Sequence, residues 1–99
     1  MVDSKQILVY LSSNKERFKQ DYHLIRIGVF GSIARGEQDE NSDIDLVVEF
    51  EENTPDLYTI KQRLRNEIQS RFNKPVDICR EKYIKPIFKN LVLSEVKYA

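Results

Sequence analysis

Apolar and polar residues recur along this chain with two periods, and the switches between them mark out its elements. Ile7, Leu8 and Leu11 fall on one side of a helix that Ser4 is placed to cap. The polar run Ser12-Ser13-Asn14 predicts a break, and Lys15 to about Tyr22 reads as a second helix with Phe18 and Tyr22 four apart. Leu24–Phe30 is rich in β-formers and predicts a strand that ends at Gly31. Over Ile44–Phe50 the period becomes two: Ile44, Leu46, Val48 and Phe50 share one face, and Asp45, Val47 and Glu49 the other. Thr54-Pro55 predicts an N-cap and a first helical proline, opening a helix with Leu57, Ile60, Leu64 and Ile68 in one stripe. Asn73-Lys74-Pro75 turns the chain into a short strand, Val76–Cys79. A last helix starts near Pro86 and carries Ile87, Phe88, Leu91 and Val92.

This order predicts an α+β (α/β) fold: a small mixed β-sheet of about three strands with helices packed on it. The helical crossover between the second and third strands implies a parallel, right-handed connection. No comparable helix joins the first two strands, so their pairing stays open between antiparallel and mixed. With 99 residues and no repeat, low-complexity tract or Gly/Ser linker, the chain reads as a single domain, residues 1–99. Such a domain buries roughly 65% of its unfolded surface, enough for one core without cross-links. The lone cysteine, Cys79, excludes a disulfide framework and a cysteine-cluster zinc site, and the lone histidine, His23, excludes a His-rich metal centre. No apolar run approaches the ~20 residues of a membrane span, and the N-terminus lacks a signal-peptide core. The expected compartment is the cytoplasm.

A net charge of zero hides a polarity along the chain. Residues 1–35 carry six bases and three acids, residues 36–60 nine acids and no base, and residues 61–99 ten bases and four acids. Ile44, Leu46, Val47, Val48 and Phe50 lie inside the acidic block, which argues against a disordered tail and leaves a solvated face or a cation site.

The chemistry concentrates in Gly31-Ser32-Ile33-Ala34-Arg35-Gly36 and in Ser42-Asp43-Ile44-Asp45-Leu46. A Gly-Ser at a strand end, entering a short helix, offers backbone N–H groups and a hydroxyl to an anion. Glycine lets a phosphate approach the backbone. Asp43 and Asp45, two apart at a strand start, point to one face. If the first two strands are antiparallel, the phosphate donors and the carboxylates meet at one edge of the sheet. Asp77, between inward-facing Val76 and Ile78, can join them from a parallel neighbour. Three clustered carboxylates repel one another unless a divalent cation neutralises them, and an oxygen-only set suits Mg²⁺. Two such ions can activate an attacking oxygen and stabilise a leaving one in phosphoryl displacement.

Gly31-Ser32, then Asp43-x-Asp45, with Ala34-Arg35-Gly36 between them, resembles the signature of the nucleotidyltransferase superfamily that includes DNA polymerase beta. The compact length resembles its minimal nucleotidyltransferases, antitoxins paired with HEPN toxins in prokaryotes. The resemblance implies that Asp43, Asp45 and Asp77 hold two Mg²⁺ ions, with Asp77 also a candidate base. It implies that Gly31 and Ser32 grip the triphosphate of ATP, and it gives Arg35 a place among the nucleotide-binding residues. The implied reaction moves AMP from ATP onto a hydroxyl, in the first instance a tyrosine, of a HEPN-family toxin, and the implied assembly is a hetero-oligomer.

Competing readings fail on particular positions. A calcium loop starting at Asp39 needs glycine sixth and glutamate twelfth, where Ile44 and Phe50 stand. A Walker loop needs Gly-Lys-Ser/Thr, which does not follow Gly31 or Gly36. Cys79 reads as a small buried hydrophobe, His23 as a surface or capping residue, and the tyrosines as core or rim. The bases of residues 61–99 alternate with helix apolars, so nucleic acid is not an expected partner. The alternative to an enzyme is a binding module: the same fold, catalytically weak, neutralising a partner by contact.

Overall fold

A computed structural model of the chain describes residues 2–99. Its elements, in order, are α1 (Ser4–Ser13), α2 (Lys15–Tyr22), β1 (Leu24–Phe30), α3 (Gly31–Arg35), β2 (Ile44–Phe50), α4 (Leu57–Phe72), β3 (Val76–Arg80), α5 (Pro86–Glu95) and β4 (Lys97–Tyr98), with a 3₁₀ turn at Glu81–Tyr83 before α5. The sheet order is β3-β2-β1-β4, with β2 and β3 parallel and the other pairs antiparallel. The mixed α+β character is as expected, and the open β1–β2 pairing is antiparallel.

Among the described residues the sheet has four strands where about three were expected. β4 is two residues long, too short to show an alternation, and it pairs with β1 at Gly28↔Tyr98 and Val29↔Lys97. Gly28 makes room for it: a Cβ there would stand 2.5 Å from Val96 Cγ1 and 3.0 Å from Tyr98 Cδ1.

The alternation in β2 sorts the sheet into two faces. Ile44, Leu46, Val48 and Phe50, with Ile27, Val29, Val76 and Ile78, form the core with Ile7, Leu11, Phe18, Tyr22, Leu64 and Ile68 from α1, α2 and α4. Full burial of side chains of this size stabilises by roughly 1.5–3 kcal/mol each, so this face holds the domain together. The opposite face carries Phe30, Asp45 and Asp77 in register.

The helix starts differ from the sequence reading for local reasons. Asp3, not Ser4, caps α1: its carboxylate accepts from Gln6 N at 2.9 Å, while Gln6 Oε1 accepts from Asp3 N at 3.0 Å. Thr54 is not the cap of α4, because its hydroxyl donates to Glu51 O across a turn. The helix begins at Leu57 instead, after Asp56 in a left-handed conformation. Leu64 and Ile68 are buried, while Leu57 and Ile60 are only partly covered against the core. The largest departure is α5. It forms as expected, yet it contributes no buried residue, and Ile87, Phe88 and Leu91 stay exposed.

Candidate active site

Strand pairing brings the motif residues to one edge. Antiparallel pairing sets Phe30 opposite Asp45, so the following Gly31 and Ser32 turn off the sheet beside it. Parallel pairing sets Asp77 opposite Asp45. Neighbouring strands lie ~4.8 Å apart, so in-register carboxylates on one face are close neighbours. Asp43 precedes β2 by one residue.

Gly31 is there for two reasons. Its φ of +75° lies in the left-handed region, and a Cβ would fall within the van der Waals envelope of Asp45 Oδ2 and 3.2 Å from Asp45 Cγ. The turn backbone therefore lies directly against the Asp45 carboxylate. Ser32 follows in the first turn of α3, partly exposed.

The electrostatics show the carboxylates sensing one another. Burial holds the half-buried Asp45 above the ordinary carboxylate range, Asp77 and Asp43 push it further up, and Arg35 opposes them. Arg35 is near enough for that effect, yet its guanidinium is engaged elsewhere. Nε reaches Glu37 Oε2 at 3.0 Å and Nη1 reaches Glu95 Oε2 at 3.0 Å, which ties α3 to α5. Burial raises the Cys79 thiol, the neighbouring Asp77 and Asp45 adding to the effect against Lys61, so the cysteine stays an unreactive neighbour of the edge.

The Nucleotidyltransferase domain family matches residues 11–99. The chain belongs to this family. The protein adenylyltransferase MntA of Thermococcus cleftensis is 33% identical over 98 residues, covering 99% of this chain and 97% of its own. The Methanocaldococcus jannaschii protein MJ1215, whose name assigns it provisionally to the same class, is 40% identical over 79 residues, 80% of this chain and 90% of its own. A solved structure assigned provisionally as a minimal nucleotidyltransferase superposes with a TM-score of 0.79 at 30% identity, over 97% of this chain and 95% of that one. A toxin–antitoxin structure with AMP-PNP shares the fold, with a TM-score of 0.66 at 23% identity over 87% of this chain and 69% of that one.

Among the described residues of this nucleotidyltransferase, no three His, Cys, Asp or Glu side chains stand at the spacing of a ready metal cage. Magnesium does not require one, since it keeps waters and uses one or two carboxylates together with substrate phosphates. The raised Asp45, crowded by two like charges, is the oxygen-only donor environment that a divalent cation relieves. The residues fit the ion.

Three positioning side chains escaped the sequence reading. Lys74 Nζ donates to Glu40 O and Ser42 O, each at 3.0 Å, and so fastens the loop that delivers Asp43. Its place in the Asn-Lys-Pro turn was the available signal. Glu95 holds Arg35 from sixty residues away, and no local pattern announces it. Glu49, 8% exposed, accepts from Lys82 N at 2.9 Å and Arg80 Nη2 at 3.2 Å. Burial raises its pKa, but those donors outweigh it and hold the carboxyl below its ordinary value, pinning the turn that leads to α5. A cavity of about 590 Å³ lies at that far end of β2, lined by Glu49, Arg80, Glu81 and Lys82 among others. Its mixed charges converge on no single atom, and it is remote from the aspartates.

Proposed function

We propose that this chain is a magnesium-dependent protein adenylyltransferase that moves AMP from ATP onto a hydroxyl, in the first instance a tyrosine, of a HEPN-family toxin, and so acts as its antitoxin. The observation that carries the reading is the Gly31-Ser32 turn lying against the Asp45 carboxylate, with Asp77 in register beside it. MntA, similar over nearly the full length, is named for this class of activity, and a fold neighbour of a toxin–antitoxin pair was solved with an ATP analogue.

In this reading the backbone N–H groups of the turn and the Ser32 hydroxyl take the triphosphate oxygens. Asp43, Asp45 and Asp77 would hold Mg²⁺, two ions at full occupancy, which supply charge neutralisation at the reacting phosphate. The acceptor hydroxyl attacks the α-phosphorus in line, a new P–O bond forms, the α–β bridging bond breaks, and pyrophosphate leaves. Asp77 takes the hydroxyl proton. Arg35 adds a positive charge beside Asp45. In-line alignment of two bound reactants accounts for much of the rate, so the acceptor must dock in a defined pose.

The test is label transfer. With ATP labelled at the α-phosphate, magnesium and the toxin, label moves to the toxin; with γ-labelled ATP it does not. Transfer of the γ-label, or of neither, overturns the reading. The second reading, neutralisation by contact with weak catalysis, draws on one feature: the exposed apolar face of α5.

A further inference from the structure

Helix α5 half-buries Val92 and Leu93 but leaves Ile87, Phe88 and Leu91 uncovered. Ile87 is 82% exposed, Leu91 62% and Phe88 53%, in a helix with no buried residue. Isolated exposed apolars are ordinary, but three on one stripe of one helix mark an interaction surface.

The stripe leads to the active site. Ile87, Leu91 and Glu95 follow at intervals of four, so they lie in one line along the helix. That line ends at the ion pair between Glu95 and Arg35, and Arg35 belongs to the helix opened by Gly31-Ser32. Whatever covers Ile87 and Leu91 is therefore carried alongside the turn that faces Asp45. A stable specific interface needs roughly 800 Å² per partner, more than one helical stripe offers, so the contact must extend beyond α5.

Charge selects the occupant. Within residues 81–97 the acids are Glu81 and Glu95, and both are already paired, with Arg26 and Arg35. The bases are Lys82, Lys85, Lys89 and Lys97. Lys85 stands three residues before Phe88, a neighbouring position on the helix surface, and makes that edge of the apolar stripe basic. A second copy of this chain would set lysines against lysines with no free acid in the segment to offset them. A partner with an apolar patch edged by aspartates or glutamates complements it.

We propose that the Ile87–Phe88–Leu91 face of α5 is the surface on which the protein acceptor docks, through an acid-rimmed apolar patch of its own. The proposal rests on the reading that the acceptor is a protein, and it adds where that protein sits. Docking on α5 supplies the defined pose that in-line attack requires.

The experiment uses the full chain and the purified toxin. Binding is measured by calorimetry for wild type, Ile87→Asp, Leu91→Asp and the charge reversal Lys85→Glu, with Val9→Asp on α1 as an exposed apolar control. The α5 aspartates remove no buried contact, so circular dichroism and melting temperature should stay at wild-type values. Affinity for the toxin should fall roughly 30-fold or more with either aspartate. The reversal should weaken binding about tenfold at low salt and less at high salt, and Val9→Asp should change nothing. Toxin affinity within threefold of wild type for Ile87→Asp and Leu91→Asp overturns the docking surface and leaves the transferase reading intact. So does the finding that these substitutions abolish instead a self-association seen by sedimentation velocity, or an attachment to anionic vesicles, while toxin binding persists. The converse result, α5-dependent binding without AMP transfer, overturns the transferase reading and keeps the surface.

Discussion

Replacing Gly31 by alanine should separate folding from chemistry at the site. The residue sits at φ +75°, and an L side chain in that region costs roughly 1–2 kcal/mol. The added methyl also overlaps Asp45 Oδ2, so the carboxylate must retreat by roughly 1 Å to restore van der Waals separation. Against a domain stability on the order of 5–15 kcal/mol the fold survives. At about 4–8 °C per kcal/mol for a chain of this size, melting should drop by roughly 5–15 °C. The chemical effect should be larger, because a 1 Å misplacement of a reacting group can cost ~100-fold in rate. The assay is single-turnover AMP transfer to the toxin, at a temperature where circular dichroism shows the variant folded, alongside urea unfolding. The overlap term can be isolated: in Gly31→Ala/Asp45→Ala the clash with the carboxylate disappears, leaving the backbone cost and a 3.3 Å approach to the Cβ of residue 45. The double variant should therefore be less destabilised than the sum of the singles, by about 1 kcal/mol. Strict additivity, or a Gly31→Ala chain that transfers within threefold of wild type, would refute the close approach of the turn to Asp45.

Other consequences follow from the same geometry. Asp45→Asn removes a carboxylate whose charge is disfavoured by burial and by two neighbours, so it should abolish transfer yet melt at or above the wild-type temperature in metal-free buffer; a lower melting temperature contradicts this. Ser32→Ala should weaken ATP binding by ~1–2 kcal/mol, the scale of one charge-assisted hydrogen bond, as read by calorimetry with Mg²⁺. Unchanged affinity places the phosphates elsewhere. Glu67 receives Arg17 Nη1 at 3.0 Å, Tyr22 Oη at 2.6 Å and Tyr10 Oη at 2.9 Å, and its pKa is lowered from 4.5 to about 2, with Arg17 the largest cause. A depressed carboxylate stabilises the fold above its unfolded pKa and loses that contribution as pH falls from 4.5 toward 2. With a quarter of the side chain in water the contribution is ~1–2 kcal/mol. Urea unfolding of Glu67→Gln should accordingly lose less stability between pH 5 and 2 than wild type, and equal losses contradict the pairing.

What was legible in the sequence is what period and turn chemistry encode. The two faces of β2 follow from alternation, because a strand's faces are set residue by residue, and the parallel crossover into β3 follows from the helix between the two strands. The meeting of Gly31 and Ser32 with the aspartates hangs on an antiparallel β1–β2 pairing, which the sequence leaves open and the structure supplies. Contacts between segments distant in the chain left no such trace. β4 is too short to alternate, and its place beside Gly28 is a matter of packing. Thr54 carries a cap signal that its bond to Glu51 redirects. The apolar residues of α5 predict a buried face by the same logic as those of α4, and only the three-dimensional structure shows that Ile87, Phe88 and Leu91 stay exposed while Val92 is half-buried. Arg35 illustrates the limit at the site itself: its identity was readable, but its hold on Glu37 and Glu95 was not.

Intact mass spectrometry of the toxin, after incubation with the full chain, ATP and Mg²⁺, bears most directly on what the carboxylate edge does. The expected result is a mass gain in whole AMP units that disappears without Mg²⁺ and with Asp77→Asn, while Asp77→Asn still binds ATP. An unmodified toxin that is nonetheless fully neutralised by the Asp43→Asn/Asp45→Asn/Asp77→Asn chain would contradict it, and would make the protein an antitoxin by contact alone.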